Sequence, residues 1–283
     1  MIKLRVTVPK NIALILKRDQ EDFEINENKH YNIIYKNMNF DYSEDKSKSV
    51  YKEDTELLQF TLSKENFIKF DTLENKKLKK ADFFRQLITE YAMKSSYERE
   101  LIVFKEHLER IKVAIENNKR IEIKFKNRDD ILDPYFIASL EKENRNYLVS
   151  YSCYKEKIVN YRIKNISNVV ITNLNREPFD EKYIKDLSEN FNPFLSFGNE
   201  VKVKFTTEGE KYYKQVISNR PKLKGTEGDI YIFEANDYQA MLYFAGFMEM
   251  VEILEPLSLR EKMIERAKMM IENYLTNKSK KGD

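Results

Sequence analysis

Residues 120–139 read RIEIKFKNRDDILDPYFIAS, and 146–152 read NYLVSYS. Ile121, Ile123 and Phe125 alternate with Glu122, Lys124 and Lys126. That period of two belongs to a strand with one buried face and one wet face. Further strands are expected at Pro134–Leu140, Asn146–Cys153, Ile158–Lys164 and Val169–Thr172. Five short strands in about fifty residues predict a small barrel. Cys153 falls on the apolar side of its strand and reads as a small core residue.

Upstream, residues 97–118 predict one long helix, because Leu101, Phe104, Leu108, Ile111 and Ile115 step by three and four. The first forty residues have their own order. Ile2, Leu4, Val6 and Val8 alternate with Lys3, Arg5 and Thr7, so a strand with a basic outer face is expected, ended by Pro9. Ile12, Leu14, Ile15, Leu16 and Phe23 mark a helix over 10–24. Asn26 is a suitable N-cap for a second helix carrying Tyr31, Ile33, Ile34 and Met38. After a polar linker at 41–56 the order returns. Leu58, Phe60 and Leu62 alternate with Gln59, Thr61 and Ser63, and Ser63 suits an N-cap. A basic turn at 76–80 leads into a helix with Phe83, Phe84, Leu87, Ile88 and Tyr91. Strand–helix–helix therefore occurs twice, about 55 residues apart.

Downstream, strands are expected at Val201–Thr206, Asp229–Glu234 and Met250–Leu254. Helices are expected near Gly209–Ile217, at Asp237–Phe247 and at Leu257–Leu275, and 279–283 reads as a frayed tail. The fold class is α+β. The expected parts are 1–42 and 56–96 for the two repeats, 97–118 for the connector, 119–176 for the barrel and 196–277 for a C-terminal α/β extension.

The composition excludes several classes. Of 283 residues, 34% are charged and 41% hydrophobic, and aromatics reach 13%, which disordered chains lack. Fifty basic against 47 acidic residues leave a formal charge of +3, so any basic surface must be local. One cysteine excludes a disulfide framework. No apolar run approaches the ~20 residues of a membrane span, and no leader pattern opens the chain, so a cytoplasmic location is expected. His30 and His107 have no ligand-spaced partners, and no phosphate loop, dinucleotide fingerprint or nucleophile elbow occurs. The sequence reads as non-enzymatic, without a metal or cofactor.

The N-terminal repeats resemble the ribbon–helix–helix fold of Arc- and MetJ-like repressors. That resemblance implies an antiparallel ribbon from two copies, with its polar face in the DNA major groove. The outward residues would be Lys3, Arg5 and Thr7 in the first copy and Gln59 and Thr61 in the second. The starts of the second helices, near Asn26 and near Lys80-Ala81, would offer N–H groups to phosphate. The two copies could pair within one chain as a pseudo-dimer or across a true dimer; pairing between chains, and hence a homodimer, is expected.

The central stretch resembles the WYL domain, an Sm-like barrel of bacterial regulators. The family triplet Trp-Tyr-Leu reads Asn146-Tyr147-Leu148 here. The Arg-rich strand reads Tyr161-Arg162-Ile163-Lys164-Asn165-Ile166, with Asn165 where a second Arg is usual. FAGFMEMVEILEPLSLREKM resembles the extension that follows such domains. The resemblance implies a sensor of nucleotides or nucleic-acid fragments, with Tyr135, Ser150 and Arg162 at its pocket positions. Strand alternation adds Lys124 and Lys164.

SSYERELIVFKEHLERI, NYLVSYS and NRPKLKG are similar to stretches of ribbon–helix–helix/WYL proteins that accompany type VI CRISPR effectors. This implies single-stranded RNA binding and stimulation of an RNA-targeting effector. Arg220, Lys222 and Lys224 alternate around Pro221 as a candidate phosphate strip. The sequence thus points to a DNA-binding, ligand-sensing regulator, or alternatively to a CRISPR accessory protein that binds single-stranded RNA. A protein–protein adaptor is the third class.

Overall fold

The computed structural model describes residues 2–43, 54–74, 79–126 and 128–276. Most of the linker, most of the basic turn and the tail lie outside the described residues. The chain forms two compact units, Met1–Phe179 and Asp180–Asp283.

The first unit opens with strand–helix–helix, twice: β1 Lys3–Pro9, α1 Lys10–Asp22, α2 Glu27–Asn37, then β2 Thr55–Thr61, α3 Lys64–Glu74, α4 Lys80–Met93. β1 and β2 pair antiparallel within the one chain, from Lys3 opposite Thr61 to Pro9 opposite Thr55. The expectation of pairing between chains is therefore corrected. With β2 of the same chain beside it, β1 does not need a second chain to complete its ladder. Leu4, Val6, Val8, Leu58 and Phe60 face inward onto α1, α2 and α4. Phe70, Phe84 and Tyr91 fill the space beneath them.

Both ribbon edges are held by side chains. Arg85 of α4 donates from Nε to the Thr7 carbonyl at 2.8 Å, with its own position set by an ion pair to Asp82. On the other edge Asn28 Oδ1 accepts from Thr61 N–H at 2.7 Å. Asn32 donates to the Thr61 carbonyl at 2.9 Å and accepts from Ser63 N–H at 2.7 Å. Satisfied edge groups fix the register and block pairing with another strand.

The long connector helix is two helices, α5 Ser96–Val103 and α6 Lys105–Glu116. A Ser95/Glu98 capping box starts α5. Phe104 breaks the run, with φ −100° and ψ 21°. Its ring meets Phe23 edge-on at 5.6 Å and packs against both the N-terminal and the central core. The local turn lets one side chain serve two cores.

The central sheet contains β3 Lys119–Phe125, β4 Arg128–Leu140, β5 Arg145–Ser152, β6 Lys157–Arg162 and β7 Ile166–Asn175. Its order is β6-β5-β4-β3-β7, antiparallel throughout. Five strands were expected and five form. No β6–β7 pairing occurs among the described residues, so the sheet is open where a closed barrel was expected. A 3-10 turn, Ile163–Asn165, joins those two edges. Leu108, Ile111 and Ala114 of α6 cover its apolar face.

The second unit begins with α7, Glu181–Glu189, capped by Asp180. It continues as β8 Glu200–Phe205, α8 Thr207–Gln215, β9 Lys222–Glu227, β10 Ile230–Glu234, α9 Asp237–Phe244, β11 Val251–Glu255 and α10 Leu257–Thr276. The sheet order β11-β8-β10-β9 gives the split βαβ topology of ferredoxin-like folds. α8 lies so close to the segment before β11 that a Cβ on Gly209 would sit 2.2 Å from the Met250 carbonyl oxygen. Gly209→Ala should therefore destabilise this unit by about 1–3 kcal/mol through overpacking. An unchanged denaturation midpoint would show that the segment yields freely.

Candidate nucleic-acid interface

The ribbon brings the first five candidate residues onto one face. Lys3 lies opposite Thr61, Arg5 opposite Gln59 and Thr7 opposite Leu57. Lys3, Arg5, Gln59 and Leu57 are exposed, and Thr7 and Thr61 are half-buried. Directly opposed residues on an antiparallel pair have Cβ atoms roughly 5 Å apart, so Arg5 and Gln59 stand side by side. Leu57 was not among the candidates. It is an exposed aliphatic on the same face, of the kind that meets a thymine methyl. The helix starts differ. Asn26 caps α2 by accepting from Lys29 N–H at 2.9 Å, whereas Lys79 gives α4 no side-chain cap.

The central-sheet candidates do not share one pocket. Arg162 pairs with Tyr147 and Ser150 with Val159. Ser150 therefore points to the core face with Leu148 and Val159, and Arg162 to the opposite face with Asn160. Ser150 is fully buried, and its Oγ has no hydrogen-bond partner among the described residues. The Nε of Arg162 is also buried without a partner among the described residues. Lys164 lies past the end of β6, in the 3-10 turn, so it does not share a strand face with Arg162. Its Nζ is 3.5 Å from Asp22 of α1, a tie between the ribbon helices and the sheet.

Tyr135 sits in a bulge, since Pro134 pairs with Ser150 and Phe136 with Val149. Arg176 lies over its ring at 4.9 Å. Burial, aided by Asp133, pushes its hydroxyl pKa up to about 12. Lys124 is exposed on the outer face of β3 and lines a cavity of about 710 Å3 with Glu122, Asp129, Cys153 and Tyr154. Cys153 lies past the end of β5 and is half-buried, not a core strand residue. Burial raises its pKa, which disfavours the thiolate.

The Asn of the Asn146-Tyr147-Leu148 triplet has a physical role. Asn146 is fully buried. Its Nδ2 donates to Glu100 Oε2 at 2.8 Å and to the Tyr97 carbonyl at 2.9 Å, and its Oδ1 accepts from Ser139 at 2.7 Å. Glu100 also accepts from Lys164 N–H at 2.8 Å. Burial raises the Glu100 pKa, against the pull of these donors and of Arg162. A tryptophan, with one donor and no acceptor, would leave part of this buried set unpaired.

In the second unit, Arg220 is committed to the end of α8. It donates to the Val216 carbonyl at 2.9 Å through Nε and also to the Tyr213 carbonyl, and its guanidinium lies 4.5 Å above the Tyr213 ring. It closes a helix C-terminus and is not an open phosphate donor. Lys222 is exposed on the edge strand β9, 3.3 Å from Asn190. Lys224 pairs with Glu200, Lys202 with Glu255 and Lys204 with Asp229. Of the candidate strip, then, only Lys224 has its own acid, while Arg220 is tied to carbonyls and Lys222 meets an amide.

Residues 106–171 match the WYL domain and 198–271 the WCX domain. The chain therefore carries a WYL domain followed by a WCX domain. Its fold is similar along almost its whole length to the crystal structure of a CRISPR Cas-related protein. That match covers 98% of this chain and 95% of the other, at 18% identity and a TM-score of 0.70. A second match, to the proteasome accessory factor B/C (PafBC) of Arthrobacter aurescens, covers 56% of this chain and 26% of that one. Its identity is 16% and its TM-score 0.28. No curated protein matches the chain. No helix among the described residues is long and apolar enough to cross a membrane.

Proposed function

We propose that this WYL-domain protein is a cytoplasmic, non-enzymatic regulator that reads duplex DNA with the outer face of its β1–β2 ribbon. The observation that carries the reading is Arg5 standing opposite Gln59 on an exposed, edge-locked ribbon. A two-stranded ribbon fits the major groove, where Arg donates to guanine and Gln bonds adenine. The two repeats act as a ribbon–helix–helix pair built into one polypeptide, so one chain carries a complete reading head. The WYL domain serves as the sensor, with Arg162 as its phosphate-binding donor. A buried guanidinium nitrogen without a partner is costly to leave unpaired, which favours an acceptor there.

Selection from a randomised duplex library, followed by anisotropy titrations, tests this. Arg5→Ala should weaken the selected duplex by about 1–3 kcal/mol with melting unchanged. Equal affinity for wild type and variant would remove the ribbon as a reader.

A second reading is favoured by the whole-length likeness to a CRISPR Cas-related protein. In it, the chain is an accessory protein that binds single-stranded RNA. Arg162→Ala should then weaken a labelled RNA single strand while Arg5→Ala leaves duplex binding untouched.

A further inference from the structure

A cavity of about 290 Å3 lies between α2 and the α5–α6 junction. α2 contributes Lys29, Asn32, Ile33 and Lys36, spaced i, i+3, i+4 and i+7, which places them on one stripe. Val103, Phe104 and His107 face them.

Most polar groups in the wall are already committed. Asn32 holds Thr61 and Ser63, and Asn66 donates to Asn32 at 2.8 Å. Lys36 is shared between Glu106 at 2.8 Å and Glu65 at 3.3 Å. Two groups are left. His107 Nδ1 is buried and has no hydrogen-bond partner among the described residues. Lys29, exposed at the rim, makes no side-chain ion pair among the described residues.

We propose that this cavity binds a small organic anion. Its apolar body would rest on Ile33, Val103 and Phe104, and its charged group would lie between Lys29 and His107. The size is at the small end of ligand pockets, roughly 300–1,000 Å3. The local field supports the assignment. Burial first, then Arg110 and Lys29, lower the His107 pKa, and Glu106 opposes them. An anion would offset that excess of positive charge. Neither Arg162 nor the outer ribbon residues line it, but Asn32 in its wall clamps β2.

The chain has only two histidines, so their imidazole NMR signals can be followed individually on the full-length protein. The probe is phenyl phosphate, with phenol and inorganic phosphate as separate arms. Phenyl phosphate should give a saturable shift at His107 and raise its pKa, and His30 should not move. Each fragment alone should bind more weakly. Lys29→Met, at an exposed position, should keep the fold and weaken the probe roughly five- to tenfold, the loss of one charge-assisted contact. Three results would each overturn the site: no saturation at millimolar probe, equal affinity in Lys29→Met, or inorganic phosphate binding as tightly as the probe.

Discussion

Asp19→Ala is expected to destabilise the first unit by about 3–5 kcal/mol, the usual cost of removing one partner from a buried ion pair. Asp19 is 3% exposed. It accepts from Arg99 Nε at 2.7 Å, from Arg99 Nη2 at 3.0 Å and from Tyr91 at 2.9 Å. The three residues lie on α1, α5 and α4, so one carboxylate joins the helices under the ribbon to the connector. Its removal leaves a largely buried guanidinium with only the Lys94 carbonyl among the described residues, 2.5 Å from Nη1. It also leaves Tyr91, fully buried, without its acceptor. Asp19→Asn keeps the shape and one acceptor and should cost less. Replacing the pair together, Asp19→Leu with Arg99→Met, should recover much of the loss, because no charge is then stranded. Urea unfolding of the three variants checks this. A loss below about 1 kcal/mol for Asp19→Ala would show the pair to be no better than a surface bridge.

The parts of the fold written in local periodicity were legible. Alternation at Leu4, Val6 and Val8 and at Leu58 and Phe60 placed both ribbon strands on the chain, and the stripes after them placed the helices. The partner of β1 was not legible. Alternation is the same whether β2 of this chain or of another completes the ladder, and the asparagines that lock the edge look like ordinary helix-surface residues. The opposite facing of Ser150 and Arg162 was hidden for a related reason. It depends on the β5–β6 register, which pairs Ser152 with Lys157, and the turn between them sets which residues share a face. β9 escaped because Lys222–Glu227 is a polar edge strand, whose lysines and glutamate are what an edge carries to avoid aggregation.

Arg220 shows how a site reading from charge alone goes astray. Its residue type suits phosphate, but it stands four residues after Val216, in reach of the last carbonyls of α8. That local signal of a helix C-terminus was available in the sequence. Arg5 differs because no helix end lies within its reach and its strand neighbours alternate strictly. Its exposure follows from the strand pattern, and its pairing with Gln59 from the fold. The ribbon is thus the surface where sequence and structure place the same residues together, which is why the DNA reading rests there and not on the WCX unit.

The second large effect concerns acid. His30 is fully buried, with Nε2 3.0 Å from the Tyr91 hydroxyl and Nδ1 3.4 Å from Gln20 Nε2. Burial, with Arg99 adding to it and Asp19 opposing, lowers its pKa from 6.5 to about 4. The native state therefore holds the neutral ring, while the unfolded chain takes up a proton near pH 6.5. The native state binds fewer protons between these values, so stability must fall as pH falls from about 6.5 to about 4. It is fully present above that window and levels off below it. The whole step is worth about 3 kcal/mol, and about 2 kcal/mol of it lies between pH 7 and pH 5. His30→Gln retains a side-chain donor without the titration. The stability difference between wild type and this variant should therefore shrink by about 2 kcal/mol from pH 7 to pH 5. Denaturation at both pH values measures it. A difference that stays constant would mean that His30 is protonated in the folded protein. The chain Gln20–His30–Tyr91–Asp19–Arg99 would then carry a further buried positive charge.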